Sequence, residues 1–410
     1  MPVSSQESGA YLDNAASRPV DPRVLTHLLE VSEALSRQGG NPSALHFGGR
    51  FAREQLEAAR HQVGELLGAQ APEVIFTSGA TESDSLAVGG ALARFAELAA
   101  DDSEASKPLM ITSELEHPAV RKWADRAQEL GFEVLWVPVT YDGQVSVSDL
   151  AQMLSELAAE PQRLVLASFL LVDNDTGVIQ PVAELAALVR QAFPTALIHC
   201  DAAQAVGQIP VSFSELGVDA LSLSGHKFGA PAGIGALVVR REYPLRSDRI
   251  GGGQERDLRS GTQAVAMAQA LAKALELAVA EMGERQEYLE SLKAETIAGL
   301  DSRVHVSSQA ATSPHILHLL TPVTNPEVSL LVMDQNRVAV SAGSACSAGV
   351  ARPVASLLAM GCDEDQAMGG LRVSFGPQNT SADVQAFLQA LPKALDAALA
   401  FSARKERKTK

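Results

Sequence analysis

The run LSLSGHKFGAPAGIGAL places Lys227 directly after an apolar segment, beside His226 and Ser224 and among small residues that leave room for a bulky ligand. A buried ammonium is costly unless its charge is lost or paired, and an amine that condenses with an aldehyde loses basicity as a Schiff base. A plain surface lysine fits this apolar setting poorly. Upstream, LIHCDAAQAVG ends an apolar strand in Asp201, with Gln204 three residues on. A carboxylate fixed there can pair with a protonated ring nitrogen, and the amide can reach a neighbouring ring oxygen; an Asp at a strand end is also commonly only a cap. The third cluster, TSGATESDS, sets Gly79 between a short strand and a helix opening with Ala80, Thr81, Glu82 and Asp84. Free N–H groups at a helix N-terminus suit a phosphate, which Thr81 would hold as well. Taken alone, the cluster reads better as the capped first turn of an ordinary helix with acids in it.

An acid at one strand end, a lysine at a later one and a helix N-terminus for phosphate form the arrangement that pyridoxal phosphate needs. The sequence also resembles the cysteine desulfurases of the NifS/IscS type, in the class V branch of fold-type I pyridoxal-phosphate enzymes. The motifs GNPSALH, TSGATESD, LEHPAV, DAAQAVG, SGHK, GGGQERDLRSGT and SAGSACSAG follow in family order, from YLDNAAS to LRVSFGP. The resemblance implies that Lys227 is the Schiff-base lysine, Asp201 the partner of the pyridinium nitrogen and Gln204 a donor to the ring hydroxyl. It implies that His117 stacks on the ring and moves protons, and that Ala80, Thr81, Ser224 and His226 hold the phosphate. Thr262 would reach the phosphate in the other subunit, which requires a homodimer. Asn174 would lie near cofactor and substrate, with Asn41 and Arg372 on the substrate carboxylate. Cys346 would take sulfur from L-cysteine as a persulfide, leaving L-alanine, for iron-sulfur cluster or other thio-cofactor synthesis by an unidentified acceptor protein.

Two of these assignments lean on the resemblance, since local pattern alone favours an ordinary exposed-face arginine at Arg372 and a packing thiol at Cys346. In LRVSFG, Arg372 and Ser374 face one side of a strand and Leu371, Val373 and Phe375 the other, so a guanidinium can point into a cleft and take a carboxylate bidentately. Cys346, in VSAGSACSAGVARP, has little side-chain bulk around it; outside the resemblance such a cysteine reads as a packing thiol. Cys200 reads as a small packed hydrophobe and Cys362 has no partner motif. The chain departs from the family pattern in VDNDTG, where Asp173 and Asp175 add negative charge around Asn174, and at Ser85 and Arg352. Another class V pyridoxal enzyme, a selenocysteine lyase or an aminotransferase, is the main rival, and a non-catalytic sulfur-relay protein the other.

Short apolar runs at 74–77, 109–112, 133–138, 164–169, 196–201, 220–224 and 235–239 alternate with helical stretches such as 119–130 and 182–192, which predicts an α/β fold on a mainly parallel sheet. The resemblance implies seven strands in a large cofactor domain, 11–262, and a smaller α+β domain, 263–400. Residues 1–10 are expected to be loose and 401–410 to form a basic tail. At 410 residues the chain has room for two or three units of about 150 residues. With 46% hydrophobic and 20% charged residues the composition is that of an ordinary globular chain, without long disorder. A formal charge of -16 repels phosphate backbones and anionic lipid, which excludes nucleic acid and membrane surfaces as general partners. The longest near-apolar run, 164–172, falls far short of the ~20 residues that span a bilayer. Three cysteines without a CxxC pair give no disulfide framework, and the expected location is cytoplasmic. No metal site is expected.

Overall fold

The computed structural model describes residues 9–99, 107–157, 164–243, 245–343 and 352–409, so Cys346 lies outside the described residues. The seven apolar runs form one sheet with the strand order 74–77, 235–239, 220–224, 197–201, 164–170, 109–113, 133–137. Only 235–239 runs antiparallel to its neighbours, because it folds back from 220–224 through a short connection too brief for a crossover. Helices cover both faces, so the central strands are apolar along their whole length: Leu164–Leu170 is buried at every position. The predicted helices appear as Pro118–Glu129 and Val182–Ala192.

This topology collects the carboxyl ends of strands 74–77, 109–113, 164–170, 197–201 and 220–224 along one edge. Ligands gather beyond that edge in open α/β sheets. There, Gly79 caps the helix Ala80–Asp84, which passes through a π-helical turn, Ser85–Gly89, into Gly90–Ala99. Single π turns of this kind often accompany functional sites.

A second core forms around an antiparallel sheet in the order 370–374, 316–320, 305–306, covered by helices that include Met282–Ala298, Pro326–Gln335 and Ser381–Thr409. The expected domain limits are redrawn by the packing. Val265–Ala280 buries Val265, Leu271 and Leu275 in the larger core, since its apolar face lies against the helices Pro22–Gln38 and Phe47–Leu66. Leu289 and Leu292, from the next helix, enter the smaller core together with Ala10 and Leu12 from the start of the chain. Residue 10 is therefore not loose: Ala10–Tyr11 pairs in parallel with Val338–Ala339. The basic run after 400 continues the final helix as far as Thr409.

Candidate active site

Beyond the strand ends opens a cavity of about 720 Å³, lined by Ala80, Thr81, His117, Asn174, Asp201, Gln204, Ser224, His226, Lys227 and Arg372. Ten of the residues expected from sequence thus meet in one place. At its phosphate end, Gly79 adopts φ 154° and ψ 179°, a backbone region nearly closed to other residues. A Cβ there would stand 3.3 Å from the Ser224 hydroxyl, in the space between the helix N-terminus and the strand end.

Lys227 follows strand 220–224 on a single 3₁₀ turn. Its Nζ donates to the carbonyls of Ala15 at 2.7 Å and Ala16 at 3.2 Å. Burial, with the Arg372 charge adding to it, pulls its pKa down to about 8, although Asp201 and Asp13 oppose the shift. The side chain of Gln204 is also engaged: Nε2 donates to Ala15 O at 2.9 Å and Oε1 faces His315 Nε2 at 3.3 Å. His226 lies 3.3 Å from the Ser17 hydroxyl, and burial drops its pKa to about 4.

Asp201 ends its strand with Oδ1 accepting the Ala203 N–H at 2.9 Å. Burial and the nearby Asp84 raise its pKa to about 6. His117 caps the helix Pro118–Glu129, its Nδ1 accepting the Ala119 N–H at 3.2 Å. That bond puts the proton of the neutral ring on Nε2. Burial lowers its pKa as well, so the neutral ring prevails.

Arg372 is buried, with Nη1 donating to the Asn174 carbonyl at 2.7 Å and Nη2 to Asp13 Oδ1 at 3.1 Å. Its buried Nε has no partner, an orphaned donor that an incoming carboxylate would satisfy. Asp173 does not add charge to the cavity. It is turned inward, accepting from the Thr176 N–H and hydroxyl and from Ser356 Oγ at 3.0 Å, and Asp175 is buried next to it.

Asn41 and Thr262 stand outside the cavity and are exposed. Asn41 Oδ1 accepts the Ser43 N–H at 2.9 Å, closing its own turn rather than facing Arg372. Sequence reasoning also missed the acids around the site. Asp84, read only as an acid in the first turn of a capped helix, is fully buried with Oδ1 3.5 Å from His199 Nε2. Burial lifts its pKa to about 7. Glu116, also buried, accepts the Leu170 N–H at 2.6 Å. Asp13 and Glu116 sit inside YLDNAAS and LEHPAV, beside residues that did draw notice, and that adjacency was the available signal.

The donor set fits pyridoxal phosphate. Thr81, Ser224, His226 and the helix N-terminus would hold its phosphate, Asp201 its ring nitrogen, His117 its face and Lys227 its aldehyde. Ligand atoms of Asp84, His117 and Asp201 lie within 4.8 Å of one another.

Among known proteins, the aminotransferase class-V family model matches residues 10–387. An IscS-like cysteine desulfurase of Mycobacterium tuberculosis is 39% identical over 394 residues, 94% of this chain and 96% of that protein. Cysteine desulfurase IscS of Dictyoglomus turgidum is 34% identical over 390 residues, 94% of each. Among solved structures, a NifS-like protein gives a TM-score of 0.84 at 32% identity, over 95% of this chain and 99% of its own. The structure of SspA in complex with cysteine gives 0.76 at 28%, over 90% and 100%. With its lysine, strand-end acid and phosphate helix gathered as this likeness requires, the chain belongs to the aminotransferase class-V family and, within it, to the pyridoxal-phosphate-dependent cysteine desulfurases.

Proposed function

We propose that this enzyme moves the sulfur of L-cysteine onto Cys346 as a persulfide and releases L-alanine. The observation that carries this reading is the convergence of the Lys227 amine, the Asp201 carboxylate and the orphaned Nε of Arg372 on one cavity. Pyridoxal phosphate, when bound, supplies an electron sink for charge developing at the substrate α-carbon. Arg372 takes the substrate carboxylate, which orients the α-carbon. Lys227, with its pKa near 8, is neutral often enough around pH 7 to accept the α-proton. Neutral His117 offers Nε2–H for a second proton transfer. Although burial and Asp84 raise its pKa, they raise it only to about 6, so Asp201 is ionised toward the ring nitrogen around pH 7, with the Ala203 N–H donating to its carboxylate.

In the sulfur step the substrate Cβ–S bond breaks and an S–S bond forms at Cys346. Cysteine and one thiol become alanine and one persulfide, so no external oxidant is needed. A thiolate is the competent nucleophile. The acceptor that removes the sulfur is a protein of iron-sulfur or other thio-cofactor assembly. The setting is cytoplasmic, since a working free thiol requires a reducing compartment.

A homodimer completes the site. Thr262 and Asn41 are exposed, and so are three large apolar side chains of the segments that carry them, Ile250 before Thr262 and Leu45 and Phe47 after Asn41, at 93%, 84% and 69%. Apolar surface of this kind around two functional positions supports burial against a second copy.

The reading is tested by following alanine and sulfide from L-cysteine in wild type and Cys346→Ala. Equal alanine and transferred sulfur in wild type, with both lost in the variant, supports it. Alanine formation that survives Cys346→Ala would remove the nucleophile role.

A further inference from the structure

Outside the cavity, a strained segment is tied to the phosphate end of the site by buried charge. Glu255, Arg256 and Asp257 stand consecutively at φ 49°, 60° and 61°, left-handed geometry that non-glycine residues avoid. Such a run persists only where its surroundings hold it. Arg256 donates to the Pro72 and Val239 carbonyls at 3.1 and 3.3 Å, and the buried hold is Glu255, whose carboxylate accepts both terminal nitrogens of Arg60, each at 2.8 Å, with the Glu255 and Arg60 side chains buried.

The same pair closes the free edge of the large sheet. The Phe76 N–H donates to Glu255 Oε2 at 2.9 Å, and Arg60 Nη1 donates to the Val74 carbonyl at 2.6 Å. The ion pair therefore stands where a further strand would, directly before the phosphate turn at Gly79. It also reaches the other way along the chain. Gln263 Nε2 donates to Glu255 Oε1 at 3.4 Å, and the Gly261 N–H donates to Gln254 Oε1 at 2.9 Å. Thr262 is thus bracketed by two neighbours that are fixed by residues 254 and 255. A second tie lies nearby: Glu82 takes the Ser78 N–H at 2.6 Å and pairs with Arg249 and with Arg259, the latter at 3.1 Å.

We propose that Arg60 and Glu255 are positioning residues for the cofactor phosphate of the opposite subunit: their buried pair holds the left-handed turn that presents Thr262. This rests on the homodimer and the role of Thr262 proposed above. Neither residue lines the cavity of its own chain, so an effect on cofactor binding passes either through the segment 254–263 toward the opposite subunit or through strand 74–77 within the same one, and hybrid dimers separate the two.

The test strips the enzyme of cofactor and titrates it with pyridoxal phosphate and, separately, with pyridoxal, which lacks the phosphate. Glu255→Gln is compared with the double variant Arg60→Met, Glu255→Leu, in which both charges leave together and no lone buried ion remains. The expected result is pyridoxal phosphate affinity lowered roughly ten- to a hundredfold, the range for losing one hydrogen bond to a charged group. Pyridoxal affinity and sedimentation should not change. Hybrid dimers then fix the route, with one subunit carrying Lys227→Ala so that only the other gives the visible absorption of lysine-bound cofactor. Glu255→Gln in the Lys227→Ala subunit should reproduce the loss. Glu255→Gln in the subunit that keeps Lys227 should leave affinity at the wild-type value.

Unchanged affinity in every variant, an equal loss for pyridoxal, or a loss confined to the subunit carrying Glu255→Gln overturns the proposal. Wild-type protein that sediments as a monomer overturns the dimer reading and the proposal with it, and that control separates this failure from the others.

Discussion

Lys227 is held in a place where its ammonium is poorly hydrated, and its pKa near 8 is the chemical consequence. Capture of pyridoxal phosphate by the cofactor-free enzyme needs the neutral amine, so the capture rate should climb with pH and level off above about 8. A rate still climbing toward pH 10.5 would mean that the amine is not desolvated. The acids beneath the site act in the opposite sense. Asp84 and Asp201 have folded pKa values near 7 and 6, both above the ordinary 3.8. Between 3.8 and those values the folded state holds protons that the unfolded chain has released, so their contribution to stability falls as pH rises through that window. Lys227, with a depressed pKa, adds stability as pH rises from about 8 to 10.5. Replacing Asp84 by the isosteric, neutral Asn should therefore raise the Tm of cofactor-free protein at pH 8 by about 2 °C or more and flatten its decline from pH 5 to 8. A variant less stable than wild type at pH 8 would show that the Asp84 charge is favourably paired.

The turn from strand 74–77 into the helix Ala80–Asp84 is the element to which the proposed function assigns the cofactor phosphate. Gly79 meets two demands at once: a conformation essentially closed to other residues, and a Cβ-free approach to Ser224. Gly79→Ala should cost roughly 1–3 kcal/mol in strain. It should also weaken pyridoxal phosphate more than pyridoxal, measured by equilibrium titration of the cofactor-free enzyme. Equal weakening of the two ligands would place the defect elsewhere. On the neighbouring element, His117 serves two structural ends with one ring, capping a helix through Nδ1 while its other edge remains for the cavity. A cap residue with non-helical geometry is what allows that side chain to leave the helix and stand over the site.

At the scale of the molecule, two hydrophobic cores meet where residues from both ends of the chain complete one cavity. The exposed face around Thr262 and Asn41 is the place to test assembly. Ile250→Glu should shift sedimentation toward the monomer and weaken pyridoxal phosphate binding together; an intact dimer with unaltered affinity would remove this face from the interface. Much of this was legible beforehand. The seven strands were readable because short apolar runs alternate with helical spacing, and Asp201, Ser224 and Lys227 because strand ends project toward one edge of such a sheet. The burial of Asp84 was not legible because a position in the first turns of a helix does not tell which face will be covered. The division near 263 shifted because Val265–Ala280 has two apolar sides, and only its neighbours decide which core receives it. The sequence by itself determined the strand and helix order, written in local spacing, and the family, written in motifs that follow in family order. Tertiary structure alone decided that Arg372 meets Asp13, 359 residues away, and that burial brings the pKa of Lys227 down toward neutrality. The reason is physical: spacing along a chain sets periodicity and caps, whereas hydration and charge pairing depend on groups that only folding brings together.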